Sequence, residues 1–286
     1  MTANKVLDPF TVTVCVYGGD SAEWFDDSLA SVLVNQTVRP SEFLLVVDGS
    51  INEDIESIIS KYSVFCNTNG IKIQIIRFSK NKGLGEGRRE AVNKSSYDII
   101  AVMDSDDLSE PNRFFKQLNF LNSHLDCDIV GGQILEFVDD PHNPVGERIV
   151  PLSHDDICRY LKKRSPFNHV SVMFKKSSVL KAGNYIELHY NEDYYLWIRM
   201  YISGAVFANL PCTLVNVRVG DEMYSRRWGR KYFKSELIVQ KYMLKKRIIN
   251  PMLFLYNVFI RFVVQIILTP MLRGVIFSMF LRKRYN

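Results

Sequence analysis

The stretch 98-DIIAVMDSDDLSEPNRF-114 runs an apolar segment, Ile99 to Met103, into four residues that carry three carboxylates, Asp104, Asp106 and Asp107. Carboxylates set so close repel, and they stay ionised only beside a cation or hydrogen-bond donors. The apolar run reads as a buried strand, residues 99–103, with a helix over 111–123 that has proline in its first turn. Upstream, strand patterns at 11–17, 42–47 and 71–78 are separated by helical patterns at 21–35, 52–62 and 87–93, with Asn52 placed to cap the second. Strands alternating with helices predict a mainly parallel sheet covered on both faces. Ligands of such sheets bind outside the carboxyl ends of the strands. The polar clusters 17-YGGD-20, 48-DGS-50 and 104-DSDD-107 all follow strand ends, so they can converge on one rim. Downstream, 128–137 and 170–174 read as strands and 193–203 as an amphipathic helix.

The 286 residues, 47% apolar and 23% charged, can bury a sizeable core. The five cysteines are dispersed, with no C-x-x-C pair, and the first residues lack an apolar signal core. Reduced thiols and a cytoplasmic setting are expected. The net charge of +5 is unevenly spread: residues 237–286 hold nine basic and no acidic residues, while residues 1–224 carry eight more acidic than basic ones. An acidic body with a basic tail does not indicate nucleic acid, and no zinc spacing or RNA-recognition signature is present.

Four constellations carry chemistry. Asp104 and Asp106, two apart at a strand end, can both approach one Mg²⁺ or Mn²⁺, which take oxygen ligands and share substrate phosphates; a solvated acidic turn, with Asp107 capping the next helix, fits the same residues. In 79-SKNKGLGEGRREA-91, three glycines and then Arg88 and Arg89 suit a phosphate-bearing ligand, or a plain flexible loop; it is no Walker A sequence. Glu192 and Asp193 open the helix of 191-NEDYYLWIRM-200, as a general base or as acids favoured by the helix dipole. Arg226, Arg227, Arg230 and Lys231 could grip a diphosphate or anionic lipid, or form a solvated basic face.

In this order the motifs resemble a family 2 glycosyltransferase of the GT-A fold: V-D-G-S after the second strand, N-x-G-x-x-x-x-R, D-x-D-D followed by P-x-R, then E-D-x-x-L-W-x-R. The resemblance spans residues 10 to about 235. It is strongest to the bacterial amylovoran and O-antigen branch, through 131-GGQI-134, 146-GERIVPLSH-154, 166-PFNHVSVMF-174, 208-ANLP-211, 216-NVRVG-220 and 230-RKYFKSE-236. It implies an inverting, metal-dependent transferase moving a hexose from a nucleotide-diphosphate sugar, a UDP-sugar, onto a sugar linked to undecaprenyl diphosphate. Tyr17 and Asp48 would lie against the base, Asp48 accepting from a uracil NH. Arg88 would line the nucleotide site, with Arg226 and Arg227 at the diphosphate. Asp106 would ligate Mn²⁺ or Mg²⁺, with Asp104 at the ribose or a metal-bound water. Asp193 would be the base and Glu192 its neighbour. Asn168, His169 and Trp197 would face the acceptor, although His169 reads equally as a structural histidine. Two departures stand out: Val47 replaces the first of two aspartates before G-S, and Tyr224 replaces the glutamine of Q-x-x-R-W. The second favours one sugar per encounter over polymerisation.

The expected division is a catalytic domain over 1–235, with a nucleotide half (1–110) and an acceptor half (111–235), followed by a basic, apolar helical segment over 236–286. In 251–286 the longest uncharged run, 262–272, is too short to span a bilayer, against the ~20 residues a helix needs. The tail, without acidic partners of its own, is expected to lie on the anionic cytoplasmic face of the bacterial inner membrane. A helical pair packed on the domain or on a second subunit is the alternative, and oligomeric state stays open. A sugar-phosphate nucleotidyltransferase would need a basic glycine-rich loop after the first strand, where YGGDSAEW stands. A scaffold of the same fold without activity is the non-enzymatic competitor.

Overall fold

The computed structural model describes residues 7–220 and 229–267. The first half follows the expected alternation: β1 (Phe10–Tyr17), α1 (Ala22–Leu29, continued by a π turn to Val34), β2 (Glu42–Asp48), α2 (Glu53–Thr68), β3 (Lys72–Phe78), α3 (Leu84–Lys94) and β4 (Ile99–Met103). β2, β3 and β4 pair in parallel around β1. The β-branched residues of β1 suit a strand buried on both faces, and β2 is buried along its whole length. Asn52 caps α2, its Oδ1 accepting from the Ile55 amide at 2.9 Å.

The second half comprises β5 (Leu108–Ser109), α4 (Arg113–Ser123), β6 (Ile129–Phe137), β7 (Gly146–Arg148), α5 (His154–Leu161), β8 (Met173–Lys175), α6 (Lys176–Lys181), α7 (Glu192–Ile202), β9 (Phe207–Arg218), α8 (Arg230–Lys245) and α9 (Pro251–Phe262). The sheet order is β3-β2-β1-β4-β8-β6-β9-β5, with β7 on β6. The sheet turns antiparallel where β8 joins β4 and β6. Two expectations shift. Pro111 lies in a turn ahead of α4, its carbonyl accepting from the Thr37 amide at 2.9 Å. Residues 170–174 divide between the end of a 3-10 turn, His169–Ser171, and the start of the short β8. β9, twelve residues long, gave no period-2 signal because Pro211 and Cys212 bulge out where its register on β6 shifts.

Successive side chains of a strand point to opposite faces, so β4 feeds two cores. Ile99, Ala101 and Met103 pack with α1, α2 and α4, while Ile100 and Val102 pack with α5, α7 and α8. Arg113, fully buried, ties the seam: its Nη2 donates to the carbonyls of Val102 (2.8 Å) and Val172 (3.3 Å). Burial pushes its pKa down to about 9, although Asp104 and Asp107 oppose the shift.

α8 and α9 pack against each other and against the body. Arg261, which the sequence reading placed among the interfacial cations of the tail, is instead held by Glu236, Nε to Oε2 at 2.6 Å, and by the Lys163 carbonyl at 2.7 Å. Its partner lies just upstream of the segment counted as acid-free. No described helix is long and apolar enough to cross a membrane.

Buried Glu42 joins β2 to the loop before β4. It accepts from Thr11 Oγ1 (2.7 Å), the Ser96 amide (2.7 Å), Ser96 Oγ (2.6 Å) and Lys72 Nζ (3.1 Å). Burial raises its pKa, but these donors overcome that and hold the carboxyl below its ordinary value. A depressed acid stabilises the fold above its unfolded pKa and loses that contribution as pH falls through the folded one. Glu42→Gln is expected to cost about 1–3 kcal/mol near neutral pH. In urea titrations the gap from wild type should shrink below about pH 4; a pH-independent gap would contradict this account.

Candidate active site

The carboxyl ends of β1, β2 and β4 open into a cavity of about 460 Å³. Its wall includes Tyr17 and Asp20 after β1, Asp48 at the end of β2, Asn81, Gly83, Leu84 and Gly87 at the start of α3, and Asp104, Ser105 and Asp106 after β4. The 183–191 loop and the first turn of α7 add Glu187, His189, Tyr190 and Glu192. Carboxylates from five segments thus face one space.

Each loop is fixed from within. Asp48 accepts the amides of Lys82 (2.7 Å) and Gly83 (2.9 Å), joining the β2 end to the glycine loop. A carboxylate has about four acceptor sites, so this leaves capacity for a ligand donor. Asp20 Oδ2 accepts from Ser105 Oγ (2.8 Å) and the Tyr17 amide (3.2 Å), joining the loops after β1 and β4. Asp107 points away from the cavity, accepting the Arg218 amide at 2.9 Å, and so pins the acidic loop to β9 rather than capping a helix. Burial and the neighbouring Asp106 and Asp104 push its pKa well up. Arg218 lies 4.8 Å from the Trp24 and Phe137 rings and 3.6 Å from Asp27.

Gly83 opens α3 with φ +95, a conformation that favours glycine. The Gly85 amide donates to Glu187 Oε2 at 3.0 Å, and a Cβ on Gly85 would fall 2.6 Å from that oxygen. The glycine spacing thus lets the 183–191 loop close on the α3 N-terminus. Cys15, on the cavity wall, is pushed up to about 12, mainly by burial, so its thiol stays protonated at neutral pH.

Arg88 links the two halves. Its Nη2 donates to Asp104 Oδ1 at 2.8 Å and its Nη1 to Glu192 Oε1 at 2.8 Å. The residue is 8% exposed. Burial alone would lower its pKa, but Asp104 and Glu192 raise it above the ordinary value, so it stays charged. Burial pushes Glu192 up to about 7 against the opposing pull of Arg88, with Asp193 adding to the rise. Asp193 stands next to it in the first turn of α7, its Oδ1 accepting the Tyr194 amide at 2.6 Å.

Among the described residues no group of three or more His, Cys, Asp or Glu is arranged to hold a metal ion. A divalent cation shared with a ligand phosphate needs only one or two protein carboxylates. Asp104 and Asp106, both on the cavity wall, provide that donor set.

The structure therefore gathers Tyr17, Asp48, Asp104, Asp106 and Glu192 at one cavity, with Asp193 beside them, and Arg88 serves as a clamp rather than as cavity wall. It places Asn168, His169 and Trp197 elsewhere. Asn168 is buried, its Nδ2 donating to the Gly132 carbonyl at 2.8 Å. His169 Nε2 pairs with Tyr185 Oη at 2.9 Å, and burial, with Arg88 and Arg113 nearby, holds the ring well below its ordinary pKa. Trp197 is fully buried in the second core. Arg230 and Lys231 occupy the first turn of α8; Arg226 and Arg227 lie outside the described residues. Asp20, Glu187, His189 and Tyr190 were not singled out from sequence. The polar strand end in YGGD marked Asp20, whereas no local pattern marked the 183–191 loop.

A model of glycosyl transferase family 2 matches residues 11–183. The amylovoran biosynthesis glycosyltransferase AmsE of Erwinia amylovora is 35% identical over 236 residues, covering 82% of this chain and 85% of that protein. An Escherichia coli UDP-Gal:alpha-D-GlcNAc-diphosphoundecaprenol beta-1,3-galactosyltransferase is 31% identical over 274 residues, covering 96% and 97%. Among solved structures, the mannosyltransferase PcManGT of Pyrobaculum calidifontis, in complex with GDP-Man and Mn²⁺, superposes with a TM-score of 0.61 at 11% identity, covering 96% and 83%.

Proposed function

Because the chain belongs to glycosyl transferase family 2, we propose that it moves a hexose from a UDP-sugar, UDP-Glc or UDP-Gal, to a sugar carried on undecaprenyl diphosphate. The product would be an O-antigen or exopolysaccharide repeat unit, made at the cytoplasmic face of the bacterial inner membrane. The names of the amylovoran and galactosyltransferase relatives support this substrate class. The observation that carries the reading is Arg88, which binds the carboxylates of Asp104 and Glu192 at 2.8 Å each and so sets the α7 N-terminus against the end of β4.

In this reading Tyr17, 42% exposed at the rim, packs on the nucleotide base, and Asp48 uses its remaining lone pairs to accept from the uracil NH. Asp104 faces the ribose side. Mn²⁺ or Mg²⁺ held by Asp106 and Asp104 would supply charge neutralisation for the departing diphosphate. Arg230 and Lys231, in the first turn of α8, bring further positive charge to that side. Asp193 takes the proton of the acceptor hydroxyl as its oxygen bonds to the anomeric carbon. The carbon–oxygen bond to the diphosphate breaks on the opposite face, so the configuration inverts. Glu192 acts through Arg88 to place the first turn of α7.

The test is a screen of nucleotide sugars against GlcNAc- and GalNAc-diphosphate-lipid analogues, with EDTA or Mn²⁺, and with product linkage read by NMR. One sugar added per acceptor, with inverted configuration and with EDTA inhibition relieved by Mn²⁺, is the expected result. A retained configuration, or no turnover of any nucleotide sugar, would sink the proposal.

A further inference from the structure

α9 packs onto the protein through a polar stripe flanked by Leu253 and Phe254, which rest on the second core. Asn257, 2% exposed, donates its Nδ2 to the Lys162 carbonyl and to Gln240 Oε1, both at 2.9 Å. One turn on, Arg261 is held by Glu236 and Lys163, and one turn further Gln265 is buried. The opposite stripe is apolar and faces outward: Met252 is 81% exposed, Leu255 66% and Phe259 63%, with Tyr256 and Ile260 beside them. A helix on a water-soluble surface ordinarily keeps its apolar residues inward; here Leu253 and Phe254 do so, but a second, contiguous apolar face points away from the body.

We infer that this outer face of α9 lies in an anionic lipid surface, at the boundary between headgroups and acyl chains. Charge selects the occupant. Lys245, Lys246 and Arg247 lie just ahead of the helix, and no acidic residue occurs anywhere from 237 to 286. Apolar side chains bordered by an unbalanced basic rim match an anionic interface on both counts. A symmetric contact between two copies would set the same patches, and hence the same basic rims, against each other. The buried ion pair and the Asn257 bonds would hold the helix rigidly on the catalytic body, so that lipid contact also orients that body. The inference deepens the proposed reaction by giving its lipid-linked acceptor a surface, but the contact itself stands without it.

The test uses the full chain with Leu255→Ser and Phe259→Ser together, and separately with Lys245→Glu and Lys246→Glu. Flotation is measured with phosphatidylcholine vesicles with and without phosphatidylglycerol, alongside thermal melts, molar mass in solution, and transfer to a water-soluble acceptor. The wild type is expected to float only with anionic vesicles. Both variants should bind at least about tenfold more weakly, with the melt and the transfer unchanged. Equal flotation of wild type and the Leu255/Phe259 variant would overturn the inference, as would a wild type that ignores anionic vesicles. A wild-type dimer that this variant converts to monomer, without vesicle binding, would assign the stripe to a second copy instead. Vesicle binding that behaves as expected in a protein that transfers no sugar would sink the proposed reaction and leave this inference standing.

Discussion

Asp193→Asn is expected to lower turnover by about 10³-fold while leaving donor affinity within a few-fold of wild type. A positioned general base contributes about 10²–10⁴ in rate. The substitution removes the basic oxygen but keeps an Oδ1 that can accept the Tyr194 amide, now bonded at 2.6 Å, so the start of α7 and the far-UV circular dichroism should persist. Turnover within about tenfold of wild type would remove Asp193 from the reaction. Glu192 is the neighbouring carboxyl to be told apart from it, and pH does this. Its pKa is pushed up to about 7 by burial. The stability linked to a raised acid is fully present below its unfolded value, about 4.3, and is lost as pH rises through about 7. If Glu192 were the base, the acid limb of kcat would lie near 7 and vanish in Glu192→Gln. With Asp193 as the base, Glu192→Gln should keep an acid limb and Asp193→Asn should lose it.

Arg88→Met should be the most destabilising single change at the site. Methionine replaces the apolar stem but leaves Glu192, buried at 6% exposure, with no guanidinium beside it. Removing one partner of a buried pair costs up to about 3–5 kcal/mol; Glu192, already pushed up to about 7 beside Arg88, then takes up a proton at neutral pH and is left without its buried hydrogen-bond donor. Asp104, whose side chain is 35% exposed, contributes less because solvent screens it. Urea titration should show the loss as a lower midpoint, and transfer should fall by about 10² or more as the α7 turn loses its tether to β4. Adding Glu192→Gln to Arg88→Met should recover part of the stability, since no buried carboxyl has then to be neutralised, but none of the transfer. A single variant within about 1 kcal/mol of wild type would show that the clamp carries little of the fold.

What the sequence disclosed followed from how local each feature is. β4 was legible to the residue because an apolar run cut off by carboxylates is a signal contained within itself, and the Asn52 cap was legible for the same reason. β9 was not, because Pro211 breaks its pattern and its pairing partner β6 lies some eighty residues earlier. The cavity carboxylates at strand ends could be expected to meet, since a parallel sheet brings its carboxyl ends to one edge. The duty of Arg88 could not: its two partners lie 16 and 104 positions away, and only the fold makes them neighbours. Asn168, His169 and Trp197 sit within motifs that suggested acceptor contact, yet nothing local distinguishes a polar residue that lines a cavity from one that satisfies buried backbone, as Asn168 does with Gly132.

The seam at β4 also has a consequence for the order in which the chain is made. Strands β1 to β4 can pair as soon as residue 103 has emerged, since each finds its neighbour within the first half. The site cannot follow so early. Arg88 gains its second carboxylate only when Glu192 arrives, and the acidic loop, already tied to Asp20 through Ser105, is pinned to β9 only with the Arg218 amide, 111 positions after Asp107. A nascent chain therefore carries an assembled half-sheet for the time taken to synthesise about a hundred further residues, several seconds or more at ~5–20 residues per second. Throughout that interval Asp107 is without the backbone donor that later pins it to β9.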